Sequence, residues 1–172
     1  MSSRYMEPQE REKLKSELDQ LDRRWGLLFS VGVNTGLRLS DLLSIHRGTV
    51  RSWLKTGKAI IWNHKSRDFM RVPLGKELAK ELSAYVVERG LTSNLFHGRS
   101  KDNGASRQHV SRVWKAAADA CGIEGTSPHS MRRTFAIEQY KAGKSVKEIQ
   151  GMLYHDRPQT TAIYLLERGT GS

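Results

Sequence analysis

One cysteine, four prolines and no long apolar run characterise this chain of 172 residues. The single thiol, Cys121, excludes an internal disulfide and fits a reducing compartment. No stretch approaches the roughly 20 apolar residues of a membrane span, and the charged N-terminus lacks a signal-peptide core. There is no Walker loop, G-x-G-x-x-G, C-x-x-C or H-E-x-x-H, and nothing resembling a serine-hydrolase elbow. His97, His109 and Cys121 have no zinc-ligand spacing, so no metal or cofactor is expected. Repeats, low-complexity segments and a clear linker are also missing. The length suits one domain with a real core over 1–172, and hardly two.

Acidic side chains are the other scarcity, 18 against 29 basic, for a net charge of +11 and a pI near 10.0. Residues 1–24 hold six of each sign, so the whole excess lies in 25–172. A well-solvated basic surface and a polyanionic partner both fit that balance. The expected location is cytoplasmic or nucleoid-associated.

The periodicity predicts a mainly helical α+β fold. After a loose lead-in at 1–6, Pro8 to Leu21 reads as a helix with Leu14, Leu18 and Leu21 on one stripe. Arg24 to Thr35 reads as a buried helix ended by Gly36. Arg38 then falls in a turn, and Ser40 can cap the short helix that follows. Strand-like runs at Thr49–Leu54, Ala59–Trp62 and Phe69–Val72 suggest a small antiparallel sheet between helices, with Lys65 near a hairpin tip. Gly75 to Arg89 is a helix with Leu74, Leu78, Leu82 and Val86 at four-residue spacing. Asn94 to Gly98 is a short extended piece, and 99–105 a polar loop. Ser106 can cap a helix to Ala120, with Val110, Val113, Trp114, Ala117 and Ala118 inward and Arg107, Gln108 and Arg112 outward.

The chemistry-bearing stretch is 126–164. Ser127 and Pro128 signal a helix start, which places His129 and Arg132 three apart on one face of the first turn. Free N–H groups at such an end favour an anion, and an imidazole and a guanidinium add to that preference. The helix stops at Gly143, and Ser145 with Glu148 forms a capping box for the next. His155 lies past that second helix. Pro158 can open a third, which carries Tyr164.

These residues carry a family resemblance. His129-Ser-Met-Arg132 resembles the H-x-L-R motif of the tyrosine recombinases, the phage-integrase family. Leu153-Tyr-His155 through Ile163-Tyr164 resembles its closing L-G-H and I-Y pair, and Thr35-Gly-Leu-Arg38-Leu-Ser-Asp41-Leu its T-G-x-R-x-S-E-L box. Lys65, eight residues before Pro73, is similar to the lysine of its β-hairpin. The resemblance runs from about Glu7 to Leu166 and implies the tyrosine-recombinase catalytic fold.

It also implies a reaction: cleavage and rejoining of duplex DNA through a 3′-phosphotyrosine, with strand exchange at a four-way junction. Tyr164 would be the nucleophile, Arg38 and Arg132 the forks that neutralise phosphoryl charge, and His129 the proton acceptor. Lys65 would protonate the departing 5′ oxygen and His155 would donate to a non-bridging oxygen. Asp41 would support the site, and Arg107, Gln108, Arg112 and Arg133 would contact DNA. The expected assembly is a tetramer on paired sites, and a monomer or weak oligomer without DNA. Two other readings are a DNA-binding regulator that does not cut and a type IB topoisomerase-like enzyme. Arg133 and Tyr154 depart from the family pattern, which commonly has a histidine and a small residue there.

Overall fold

A computed structural model describes residues 3–154 and 158–166, with the side chains at 158, 163, 164 and 166 excepted. The order is α1 (Pro8–Leu21), α2 (Arg23–Thr35), α3 (Leu39–Leu42), α4 (Arg47–Thr56), β1 (Lys58–Asn63), β2 (Asp68–Pro73), α5 (Lys76–Arg89), α6 (Arg107–Cys121), α7 (His129–Lys141), α8 (Val146–Leu153) and α9 (Pro158–Leu166). None of the helices described is long and apolar enough to cross a membrane.

Helix α2 is the axis of the packing. It is apolar on most sides and lies against α1 and α7, while α6 packs on α1. Gly32 permits the close approach of α2 and α7, since a β-carbon there would stand 2.4 Å from the Met131 sulfur. Gly36 ends α2 in the left-handed conformation at φ 68°, as its spacing predicts. A second apolar cluster, Phe135, Ala136, Ile149 and Leu153, joins α7 to α8.

The sheet has two strands where the sequence suggests three. Lys58 to Asn63 pairs antiparallel with Asp68 to Pro73, with Trp62 opposite Phe69. The run Thr49–Leu54 lies within α4 instead. Val50 and Trp53 are three apart, which brings both to one helix face, and both are buried. In a strand they would point to opposite faces. The Trp53 indole donates to the Val72 carbonyl at 2.8 Å and so fastens β2 to α4.

Three smaller expectations also change. Leu14 and Leu18 are buried, but Leu21, on the last residue of α1, is 54% exposed because the chain turns extended at Asp22. Ser127 does not cap α7 with its side chain; the buried Ser130 hydroxyl accepts from the Ser127 N–H at 3.1 Å. The lead-in is also ordered from Ser3 onward. Met6 is fully buried and its N–H donates to Thr134, the Arg4 N–H donates to Ser130, and the Tyr5 hydroxyl donates to Glu138. This segment is a strap laid along α7. Partners more than 120 residues away in sequence leave no local periodicity to read.

Candidate active site

Arg132 sits at the centre of the site. It is 3% exposed, and its terminal nitrogens donate to the Gly36 carbonyl at 2.5 Å and the Leu153 carbonyl at 2.7 Å. One side chain thereby stitches the segment leading to Arg38 to the segment leading to His155. Gly36 cannot readily be replaced, because a β-carbon would stand 2.4 Å from the Phe135 ring.

Arg38 caps the N-terminus of α3 in extended geometry and is half-buried. No side chain among the described residues pairs with its guanidinium. His129 begins α7 and lines the same cleft. Its ring is open to solvent on one side, yet burial on the others, followed by the charges of Arg132, Arg133 and Arg38, pushes its pKa from 6.5 down to about 4. At neutral pH this imidazole is uncharged.

A cleft of about 680 Å³ gathers these residues: Arg38, His129 and Arg132 share its wall with Arg107, Gln108 and Arg112. The last three come from the exposed start of α6, where Ser106 caps the helix by accepting from the His109 N–H at 3.1 Å. Val110, Trp114, Ala117 and Ala118 hold the opposite face in the core, and Val113 packs against it. A second cleft, of about 820 Å³, opens on the other side of Arg38 and Arg132 and is lined also by Asp41, Met70 and Tyr154. Arg133 lines neither. It turns to the Ser3 carbonyl of the strap, and its charge contributes to the depression of His129.

Asp41 is 1% exposed, and its Oδ1 accepts from both the backbone N–H and the ring Nδ1 of His64, at 3.1 and 2.9 Å. Lys65 is the next residue, exposed at the hairpin tip and outside both clefts. His64 was not among the residues singled out from sequence; its only local signal is its place beside that lysine. Tyr154 ends α8 in the left-handed region at φ 54°, a conformation glycine adopts more easily, and its hydroxyl donates to the Arg71 carbonyl at 2.8 Å. Position 164 falls on α9 as expected, whereas His155 and the Tyr164 side chain lie outside the described residues.

The model of the phage integrase family matches residues 4–168. This chain belongs to that family. Among its curated relatives, the probable integrase/recombinase YoeC of Bacillus subtilis is 28% identical over 156 residues, covering 90% of this chain and 83% of YoeC. The crystal structure of XerA recombinase superposes with a TM-score of 0.80 at 24% identity, covering 95% of this chain and 59% of XerA. That of the XerH site-specific recombinase bound to its difH substrate, a post-cleavage complex, gives 0.77 at 20% identity, covering 97% and 50%. This phage-integrase chain therefore has the fold of tyrosine-recombinase catalytic domains, and spans about half the length of the curated Xer relatives it matches.

Proposed function

We propose that this chain is a catalytic domain of a site-specific tyrosine recombinase, which cuts and rejoins duplex DNA through a 3′-phosphotyrosine. The observation that carries this reading is the shared cleft. Half-buried Arg38, with which no described side chain pairs, buried Arg132 and a neutral histidine meet three exposed side chains of α6 within it. The chemistry such a wall supports is phosphoryl transfer, with charge on the phosphoryl oxygens met by guanidinium groups.

In the proposed reaction the Tyr164 oxygen attacks phosphorus while the bond from phosphorus to the 5′ oxygen breaks. His129, held neutral, takes the phenol proton. Arg38 and Arg132 neutralise the charge that gathers on the non-bridging oxygens, and His155 donates to one of them. Lys65 gives its proton to the departing 5′ oxygen. The phosphotyrosine keeps a phosphodiester-like bond, so the 5′ hydroxyl can attack it and reseal without ATP. The basic face of α6 would track the phosphates. Arg133 would support the site through its charge rather than by lining the cleft. The wider picture is a domain over 1–172 that assembles as a tetramer on paired sites at the nucleoid.

Covalent capture tests this. The protein, mixed with nicked suicide duplexes carrying DNA that flanks its gene, should give an adduct that survives SDS. Tyr164→Phe should bind the same duplexes and give none. Binding with no adduct from the unaltered chain would favour a non-cutting regulator, and an adduct retained by Tyr164→Phe would place the nucleophile elsewhere.

A further inference from the structure

We infer that His64 is a positioning residue for strand cleavage: its clasp on Asp41 holds the hairpin tip so that Lys65 faces the departing oxygen. The inference rests on the recombinase reading above and on three features of the tip.

First, Asp41 belongs to α3, the four-residue helix that begins directly after Arg38. Its carboxylate is almost wholly buried and accepts twice from one residue of a different element, His64. A carboxylate only accepts, so Nδ1 of His64 carries the proton of this bond. The hairpin tip is thus fastened to the segment that presents Arg38.

Second, the turn is held from inside as well. Asn63 is 1% exposed, and its side-chain oxygen accepts from the N–H groups of Lys65 and Ser66 at 3.0 and 3.2 Å. Arg67 completes the turn at φ 56°, a strained value for a residue with a side chain. Bonds from the N–H groups of 64, 65 and 66 therefore determine where the Lys65 α-carbon stands.

Third, the Lys65 side chain has no such anchor among the described residues. Its ammonium is exposed, and none of the described side chains pairs with it. A lysine on a flexible stem delivers a proton at the right place only if its base is fixed. His64 supplies that fixing from the adjacent position. Without its ring, Asp41 keeps one donor among the described residues, the His64 N–H, and the tip loses its side-chain link to α3.

The alternative is a histidine that satisfies a buried carboxylate and contributes to folding alone. The two differ on a substrate whose bridging 5′ oxygen is replaced by sulfur, because a thiolate leaves without a proton. The experiment uses the full chain and the duplex recovered by covalent capture, in ordinary and sulfur-bridged forms. On ordinary DNA, His64→Ala should cleave about 10- to 10²-fold more slowly, the scale on which misplacing a catalytic group acts. Lys65→Ala should be slower still. The sulfur-bridged strand should restore both, and the double variant should be no slower than Lys65→Ala alone. His64→Asn, whose amide N–H can occupy the place of Nδ1, should stay near the unaltered rate.

Should His64→Ala yield too little folded protein, His64→Gln fills the turn while setting its amide one methylene further out, and must show the same pattern. Restoration of Lys65→Ala by sulfur, with the His64 variant slow on both strands, leaves the recombinase reading intact and overturns this inference. So does an unaltered rate for His64→Ala on ordinary DNA. Failure of sulfur to restore Lys65→Ala overturns the inference together with the general-acid role of Lys65.

Discussion

A guanidinium that spends two donors on backbone carbonyls is as much a fastener as a charge, and Arg132 is both. Its neighbour His129 feels that charge directly. The ordinary imidazole value is 6.5, and in the folded chain it falls to about 4 through burial and then the three nearby arginines. Between these values the unfolded chain binds a proton that the folded one refuses, so stability falls as pH drops from 6.5 toward 4 and is unaffected above that window. Proton NMR of the DNA-free protein should therefore find the His129 ring still neutral at pH 6, and His129→Gln should lack this part of the acid slope. A ring that titrates near 6.5 would contradict the assignment. Arg38, His129 and Arg132 were singled out by their resemblance to family motifs, and their local placement was legible: an arginine in the turn after a helix-ending glycine, and two residues three apart in a first helical turn, all of which line one cleft. His64 was not legible, since its partner lies 23 positions away and a turn histidine beside a lysine reads as surface.

Among the elements, α6 makes the clearest quantitative claim. Its exposed start faces the same cleft as Arg38 and Arg132, with Ser106 fixing the first turn. If Arg107 and Arg112 each neutralise one phosphate, each change to alanine should weaken duplex binding and flatten the logarithmic salt slope by about one. Slopes unchanged in both variants would mean that this helix faces away from DNA. The helices were read well where a stop residue or a cap accompanies the periodicity, as at Gly36, Ser106 and the Ser145–Glu148 box. Helix α4 was misread because Val50 and the tryptophan beside polar residues suit either state locally. The choice is made by the distant bond from Trp53 to Val72. The strap at the N-terminus was missed for a related reason: its order comes from α7, more than a hundred residues along.

At the scale of the whole molecule, fold and charge separate. The core is continuous from α1 to α7, while the net charge of +11 comes entirely from residues 25–172. The tryptophans divide in the same spirit. Trp25, Trp53 and Trp114 are no more than 4% exposed, whereas Trp62 is 39% exposed on the outer face of the hairpin, edge-on to Phe69 at 5.1 Å. The chain therefore carries two optical signals that can be told apart. Acrylamide, which quenches only indoles it can reach, should affect a single component of the emission, and that component should vanish in Trp62→Phe. Undiminished quenching in that variant would show that one of the other three is open to solvent. With the assignment secured, the buried three report whether the molecule is folded, and Trp62 reports what happens at the hairpin. Movement of the arm that carries Lys65 could then be followed in the unlabelled protein, by light alone.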